Sequence, residues 1–198
     1  RDPGRSKLET SRAGLENKRT DKQPVILDIR DDDRCVNMPK YAIDTCSLID
    51  GHSDANTNFV LEQLIKAGRM KTPPGVLWEL EVGGDDTFVW AKHWQGLLVE
   101  ELSSTGTQQL GVLAHKYAKP FPDPKIPGKT YRGLIKKGTS YEADPEVIAL
   151  AMEHRWIVVT EEKSSIKGAC KCEGIQCIPL QKLVSNEKQR LERQLPLV

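Results

Sequence analysis

The chain has 198 residues, of which 38% are hydrophobic and 29% are charged, and its net charge is +1. This length fits one domain, and no apolar run reaches the roughly 20 residues that a membrane-spanning helix needs, so we expect no association with a membrane. No secretory signal is evident, and the five cysteines are an odd number at irregular spacings. These features argue against a disulfide framework and predict a reducing, cytoplasmic location.

Charge is distributed unevenly along the chain. Residues 116–137 contain seven basic residues and one acidic residue, whereas residues 38–115 contain five basic and ten acidic residues. A basic stretch beside an acidic body suits a protein that holds cations in one place and a polyanion in another, although a solvated lysine-rich loop fits equally well. The residues of this stretch that are candidates for binding a polyanion are Lys116, Lys119, Lys125, Lys129, Arg132, Lys136 and Lys137.

The composition divides the chain into three parts. Residues 1–37 mix both charge signs at high density around one short apolar island, so they are expected to be a disordered arm or an added leader. Residues 38–184 are predicted to form the folded domain. Residues 185–198 are predicted to be a C-terminal helical tail with charges of both signs on its outer face.

The first half of the domain reads as a strand followed by helices. The segment "YAID" predicts a buried strand that ends at Asp44, with a Thr-Cys-Ser turn after it. The segment "ANTNFVLEQLIKAG" has an apolar stripe at helical spacing and ends with Gly68 as a stop signal. After a short extended piece, Pro73 and Pro74 predict the start of a second helix, which contains Glu79.

The second half predicts more helices, a loop and two strands. Helices are predicted in "DDTFVWAKHWQGLLVEEL" and "TQQLGVLAHKYA", followed by a Pro/Gly/Lys-rich loop over residues 119–140. Asp144 as N-cap and Pro145 as the first helical residue predict a helix in "ADPEVIALAMEHRW". Because this helix is followed by the β-branched run "WIVVT" and then by "IQCIPL", the pattern predicts an α/β fold with a parallel sheet covered on both faces.

Acidic residues follow the predicted strand ends or border them. Asp44 ends the first strand, and Glu161 and Glu162 follow "WIVVT". Glu79 and Asp144 lie on helices that would border the same crevice. Converging carboxylates repel one another unless a cation lies between them, and an all-oxygen ligand set suits Mg²⁺ or Mn²⁺. Two such ions can clamp a phosphodiester, so the acids predict a metal site for nucleic-acid cleavage.

Four motifs, in their order along the chain, resemble those of the PIN-domain nucleases. They are "YAIDTCSLI", "VLWEL", "DPEVIALA" and "IVVTEEK" with "GIQCIPL" after it, and they span about residues 40–184. Within that group the sequence is similar to the PIN-like toxins of the former domain-of-unknown-function 4411 type. The resemblance implies a PIN-like three-layer sandwich with a short central parallel sheet flanked by helices. It also implies Mg²⁺- or Mn²⁺-dependent endoribonuclease activity, a toxin role with a cognate antitoxin protein, and in many cases a homodimer.

The resemblance assigns roles position by position. The family's first metal-binding aspartate falls on Asp44, the acid of its "V-x-x-E-L" helix on Glu79, and the aspartate of its "D-x-x-V-I-A-L-A" helix on Asp144. The chain departs from the family where a "T-x-D" motif is usual, because it has two glutamates there, and the spacing favours the second. The implied metal-binding and catalytic residues are therefore Asp44, Glu79, Asp144 and Glu162, with Thr45, Ser47, Thr160 and Glu161 in supporting positions.

Other interpretations of the same acids remain open. Asp44 and Asp144 also fit ordinary cap positions, which need no catalytic role. The glutamates at the fourth position favour a catalytically weak PIN-like module that binds RNA or a protein partner. A response-regulator domain phosphorylated on Asp44 is less favoured, because such domains place a pair of acids at the first strand and "PKYAIDTC" has one.

Aromatic residues and cysteines raise two further possibilities. Tyr117, Phe121 and Tyr131 are interleaved with the lysines, so they could stack unpaired bases, although no sheet platform is predicted to present them. The three cysteines in "CKCEGIQC" lack a fourth zinc ligand at a familiar spacing and are expected to be buried reduced thiols. No histidine pairs with a nucleophile at a recognisable spacing, which argues against a hydrolase triad.

Overall fold

The computed structural model describes residues 38–84, 86–135, 143–162 and 164–194, with side chains described only as far as residue 190. The predicted leader, residues 1–37, lies outside the described residues. No helix in the described part of the chain is long and apolar enough to cross a membrane.

The elements in chain order are β1 (Tyr41–Ile43), α1 (Thr45–Ser53), α2 (Ala55–Lys66), β2 (Met70–Lys71), α3 (Pro74–Gly83), α4 (Asp86–His93), α5 (Gln95–Leu98), α6 (Ser104–Lys116), β3 (Phe121–Pro122), β4 (Thr130–Tyr131), α7 (Asp144–His154), β5 (Ile157–Val159), α8 (Ser165–Glu173), β6 (Cys177–Ile178) and α9 (Leu180–Gln194).

A parallel sheet forms the centre of the described residues. Its four strands lie in the order β2-β1-β5-β6, and β1 pairs with β5 so that Ile43 lies opposite Val159. All residues of β1 are buried, as expected for a strand covered on both faces. Helices flank the sheet, with α7 packing on β1 and β5 and α2 packing on β2. The predicted α/β fold with a parallel sheet flanked by helices is confirmed.

The polypeptide leaves all four strands at the same edge of the sheet, and three of them concern the acidic residues. Because β1, β5 and β6 are parallel, the residues that follow them all emerge at the carboxyl edge. Asp44 follows β1, Thr160 follows β5, and Pro179 follows β6. This edge is where the predicted acidic residues gather.

Helix starts differ from prediction at two of the acids. The segment after Asp44 is the first turn of α1 rather than an isolated turn, and Asp44 is the N-cap of that helix. Asp144, predicted as an N-cap, is the first residue of α7, and Ala143 occupies the cap position. Asp144 is an acid in the first turn, where a negative charge still interacts favourably with the helix dipole.

Several other elements also differ from the sequence prediction. The stretch predicted as one helix after residue 85 is divided at Trp94 into α4 and α5. The loop after residue 119 contains an antiparallel hairpin of β3 and β4, and its residues 136–142 lie outside the described part of the chain. Helix α8, in the cysteine-containing segment, was not predicted. Helix α9 runs without interruption through residue 184, where the sequence predicted the end of the folded domain and the start of a helical tail.

Candidate active site

Asp44 is a buried carboxylate held between two strand ends. Only 3% of the surface of this residue is exposed to solvent. One carboxylate oxygen accepts a hydrogen bond from the Ser47 backbone N–H at 2.8 Å, and the other accepts from the Thr160 hydroxyl. Burial raises the pKa of Asp44, hydrogen bonds from Ser47 and Thr160 lower it in part, and the nearby charge of Glu162 adds to the rise. Its ionised form is therefore destabilised by lost hydration.

Glu79 connects the start of α1 with the start of α7. This half-buried residue lies on α3. One carboxylate oxygen accepts a hydrogen bond from the Thr45 hydroxyl, and the other accepts from the Ala143 backbone N–H at 2.8 Å. Thr45 follows Asp44 and Ala143 precedes Asp144, so Glu79 is hydrogen-bonded to the neighbours of both aspartates. Asp44, Glu79 and Asp144, three of the acids predicted to bind metal, are therefore linked through these two hydrogen bonds of Glu79.

Glu162 has a structural partner of its own. Its carboxylate accepts hydrogen bonds from the backbone N–H groups of Ser164 at 2.9 Å and Ile166 at 3.1 Å, and from the Ser164 hydroxyl at 3.0 Å. These donors lie at the start of α8, where backbone N–H groups have no partner within the helix. Glu162 also donates its own backbone N–H to the Thr160 hydroxyl oxygen at 3.0 Å. Glu162 therefore connects Thr160, which donates a hydrogen bond to Asp44, with the start of α8.

Glu161 occupies the equivalent position for the last helix. Its carboxylate accepts a hydrogen bond from the Leu180 backbone N–H at 2.7 Å, at the start of α9. Its backbone N–H donates to the Ser47 hydroxyl at 3.1 Å. The two neighbouring glutamates thus point to the first turns of two different helices. Sequence reasoning missed this arrangement because it did not predict α8.

The hydroxyl residues predicted in supporting positions all contact the acidic site. Thr45 donates to Glu79, and Thr160 donates to Asp44. Ser47 contributes its backbone N–H to Asp44 and its hydroxyl oxygen to the Glu161 backbone. These contacts fix the carboxylates relative to the ends of β1 and β5.

The acids have the right chemistry for a hard divalent cation but are not grouped as a ligand cage. Carboxylate and hydroxyl oxygens are the donors that Mg²⁺ and Mn²⁺ prefer. Within the described residues, no three His, Cys, Asp or Glu side chains are arranged in a way that could hold a metal ion. Asp44, Glu79 and Asp144 would have to reorient to share one ion. A cation beside Asp44 would offset the desolvation and the repulsion from Glu162 that raise its pKa.

The described residues of the basic stretch lie on the surface. Lys116 pairs with Glu173 at 2.7 Å, and Lys129 lies 3.6 Å from Asp123. Both lysine side chains are about half exposed, so these ion pairs leave them accessible to solvent. Lys136 and Lys137 lie outside the described residues. The exposed members of the predicted RNA-binding set are Lys116, Lys119, Lys125, Lys129 and Arg132.

The aromatic residues of the same stretch form part of the core. Tyr117 is 2% exposed, and Phe121 and Tyr131 are each 7% exposed. Their rings contact one another in sequence, with centroid distances of 4.5 Å from Tyr117 to Phe121 and 5.6 Å from Phe121 to Tyr131. The interpretation that they stack on unpaired bases is therefore wrong, because their faces are already packed against protein.

The cysteines show no zinc site in the part of the chain that the structure describes. Cys46, Cys170, Cys172 and Cys177 form no disulfide bonds with one another. Cys170 is fully buried, while Cys172 and Cys177 are partly buried. The expectation of buried reduced thiols therefore holds fully for Cys170 and in part for the other two.

The fold and the site together define an α/β protein with acidic residues at the carboxyl edge of a short parallel sheet. Residues 41–191 match the family model described as a domain of unknown function, DUF4411. The chain therefore belongs to the DUF4411 family, which confirms the family predicted from the sequence motifs. No match was found among curated proteins.

Solved structures with a similar backbone were also found. DNA-bound VapBC from Salmonella typhimurium is 16% identical, with a TM-score of 0.47 over 72% of this chain and 99% of that chain. VapBC2 from Rickettsia felis, bound to a promoter DNA fragment, is 17% identical, with a TM-score of 0.44 over 70% and 97%. PAE2754 from Pyrobaculum aerophilum is 14% identical, with a TM-score of 0.40 over 75% and 96%. Likenesses of this size carry no functional argument, so function is argued from the site.

Proposed function

We propose that the protein is a metal-dependent endoribonuclease that hydrolyses phosphodiester bonds in RNA with Mg²⁺ or Mn²⁺. The observation that carries the proposal is the buried Asp44 carboxylate at the carboxyl edge of the sheet, next to the charge of Glu162 and one residue from the Thr45–Glu79 contact. Burying a carboxylate beside a second acid is unfavourable for the protein alone. A bound cation would offset that cost once Asp44, Glu79 and Asp144 had reoriented to share it, and this supports metal-dependent chemistry at the edge.

The chain's own residues supply binding, orientation and charge at this edge. Asp44, Glu79 and Asp144 would hold the metal, with Glu162 helping to hold a second ion or to orient water. Thr160 and the Ser47 backbone fix Asp44, while Thr45 fixes Glu79. A metal bound there would activate water for attack on phosphorus and stabilise the leaving oxygen. The exposed lysines and the arginine at the end of α6 and after it would bind the phosphates of the RNA backbone.

The biological role proposed here follows from the resemblance to PIN-like toxins. We expect the protein to act as the toxin of a toxin–antitoxin pair, with a cognate antitoxin protein as its partner, and a homodimer is also expected from that resemblance. Uncontrolled RNA cleavage would harm the cell that makes it, so an inhibitory partner suits the proposed activity.

A second candidate function is a catalytically weak module that binds RNA or a protein. One observation favours it: the carboxylates of Glu161 and Glu162 accept hydrogen bonds from backbone N–H groups at the starts of α9 and α8. If both remain engaged there, Asp44, Glu79 and Asp144 alone would have to bind the metal. Such a protein would still bind RNA but would cleave it slowly or not at all.

The two candidates are separated by incubating a mixed RNA pool with the purified chain in Mg²⁺, in Mn²⁺ and in chelator. The test variant is Asp44→Asn/Asp144→Asn. A matched control is Asp54→Asn, because Asp54 caps α2 through a 2.8 Å hydrogen bond from Thr57 as Asp44 caps α1. We expect cleavage that requires metal, falls about 100-fold or more in the double variant and persists in the control. RNA binding without cleavage in any metal would favour the second candidate.

A further inference from the structure

A cleft of about 460 Å³ lies between the β3–β4 hairpin, α8 and β6. None of the described residues that line it is acidic, and three of them are lysines. Its volume is within the range of sites that bind small ligands, so it is large enough for part of a nucleotide chain. We name this surface the lysine cleft, and its residues are Lys129, Tyr131, Lys167, Lys171, Ile175 and Cys177.

The hairpin is fixed against α8 by a buried carboxylate beneath the lysine cleft. Asp123 accepts hydrogen bonds from the Tyr131 hydroxyl at 2.6 Å and from the Lys171 ammonium group at 2.7 and 2.8 Å. The Tyr131 ring also packs directly on the backbone at Gly168, where a Cβ atom would lie 2.4 Å from the ring. The cleft is therefore built by contacts between two elements far apart in sequence.

The lysine cleft has an excess of positive charge. Lys171 is neutralised by Asp123, which also lies 3.6 Å from Lys129. One carboxylate therefore serves two lysines, and the Lys129 side chain remains 49% exposed. Lys167 is exposed and forms no ion pair with another described residue. Three lysines and one buried acid leave about two positive charges that face solvent.

The lysine cleft adjoins the acidic edge of the sheet. Glu162 accepts a hydrogen bond from the backbone N–H of Ile166, and Lys167 is the next residue of α8. On the other side, Cys177 of β6 pairs with Val158 of β5, two residues before Thr160. The chain thus passes from the residues around Asp44 to the lining of the cleft within a few residues along both α8 and the sheet.

We infer that the lysine cleft binds the phosphate backbone of single-stranded RNA next to the bond that is cleaved. This inference rests on the proposed function and adds two residues, Lys167 and Lys171, that the basic stretch of the sequence does not include. Lysines in a groove bind a phosphate chain mainly by charge. Because Tyr131 is buried, the cleft offers no free aromatic face, so recognition here is of the backbone rather than of particular bases.

The test measures binding of a short fluorescent oligouridylate to the full chain by anisotropy. All proteins carry Asp44→Asn and chelator is present, so that the probe is not cleaved. The test variant is Lys129→Ala/Lys167→Ala, and Lys171 is left intact because it helps to hold Asp123. The matched control is Lys66→Ala on α2. Lys66 is 50% exposed, lies 3.7 Å from Glu62 and 5.1 Å from the Trp94 ring centroid, much as Lys129 lies beside Asp123 and Tyr131.

We expect the double variant to weaken binding by about tenfold at about 50 mM salt and to lower the slope of log affinity against log salt by about 1.4, while the control changes neither. Equal binding by the double variant and its parent would overturn the inference, as would no binding by the parent. Competition by polyglutamate as effective as that by unlabelled oligouridylate would assign the cleft to an acidic protein instead.

Cleavage by the chain without the Asp44 substitution is measured beside these experiments. If the chain cleaves RNA in metal but the double variant binds RNA as well as its parent does, the inference about the lysine cleft fails and the proposed function stands. Binding that depends on Lys129 and Lys167, without cleavage in any metal, would defeat the proposed function alone.

Discussion

Asp44 combines two roles that a carboxylate can have at once. Its hydrogen bond from Ser47 caps α1, and under the proposed function its buried charge near Glu162 would be offset by a cation. The sequence left both roles open, because an acid between a strand and a turn fits either. It could not indicate that Glu161 and Glu162 would point to the starts of α9 and α8, since that depends on contacts between segments distant in sequence.

The cap and the charge of Asp44 can be separated by substitution. Asp44→Asn keeps an oxygen that can accept from Ser47 and removes a desolvated charge, so we expect the free energy of unfolding at neutral pH to stay within about 1 kcal/mol of the parent. Asp44→Ala removes the cap and should lower it by about 1–2 kcal/mol. Urea denaturation followed by circular dichroism measures both. Equal destabilisation by the two variants would mean that the charge itself stabilises the fold.

Tyr41 predicts a loss of stability in alkaline solution. Burial, together with the hydrogen bond to Glu187 and its negative charge, raises the pKa of Tyr41 to about 12. Below its ordinary pKa of 10, Tyr41 is protonated in both the folded and unfolded chains, and its contribution is fully present. As pH rises from 10 to about 12, only the unfolded chain loses the proton, so the contribution falls, by up to about 3 kcal/mol.

The measurement for Tyr41 is urea denaturation at several pH values for the parent and for Tyr41→Phe. The difference between the two proteins isolates Tyr41 from the lysines and from other tyrosines. We expect this difference in unfolding free energy to shrink between pH 10 and about 12. A difference that is constant over that interval would contradict the raised pKa.

At the scale of elements, the strongly patterned segments were predictable and the short, contact-dependent ones were not. Strand β1, helix α2 with its stop at Gly68, and helix α3 opening at Pro74 all follow from local signals. The local sequence signal for helix α8 is weak, because Gly168 and two cysteines lie within the helix and a third cysteine follows it closely. Helix α8 begins where the Glu162 carboxylate accepts hydrogen bonds from the first backbone N–H groups of the helix. Gly168 then leaves room for the Tyr131 ring to pack against the helix.

Two helical glycines should respond to alanine with opposite signs. A Cβ on Gly168 would meet the Tyr131 ring at 2.4 Å, so Gly168→Ala should lower the free energy of unfolding by about 1–3 kcal/mol. Gly111 on α6 has no heavy atom within 4 Å of such a Cβ, so Gly111→Ala should raise it by about 0.5–1 kcal/mol. Thermal and urea denaturation test both. Stabilisation by Gly168→Ala would show that the hairpin does not pack on α8 as described.

Helix α9 is attached to the sheet by a buried ion pair. Glu187 accepts hydrogen bonds from both terminal nitrogens of Arg69 at 2.8 Å and from the Tyr41 hydroxyl at 2.8 Å. Glu187→Gln should lower the free energy of unfolding by about 3 kcal/mol, because it leaves Arg69 buried without its charge partner. The matched control is Glu100→Gln, whose more exposed pair with Lys71 should contribute less than about 1 kcal/mol. Equal effects in urea denaturation would rule out the structural role of Glu187.

At the scale of the whole molecule, charge separates into an acidic edge and basic surfaces. The overall net charge of +1 conceals this separation, and the sequence indicated part of it through the lysines after residue 115. The sequence did not indicate that Asp123 would be buried among those lysines, or that Lys167 and Lys171 would lie beside Lys129. These positions arise from the packing of the hairpin on α8, which no local pattern encodes.

The most direct test of the central claim is the chemistry of the cleaved ends. RNA is cleaved by the chain in Mg²⁺ or Mn²⁺ in ¹⁸O-labelled water, and the products are analysed by mass spectrometry. Water activated at the acidic edge predicts terminal phosphates that carry one ¹⁸O atom, with no product in chelator or with Asp44→Asn/Asp144→Asn. Cyclic 2′,3′-phosphate ends, or unlabelled products that persist in chelator, would contradict metal-dependent hydrolysis by these acids.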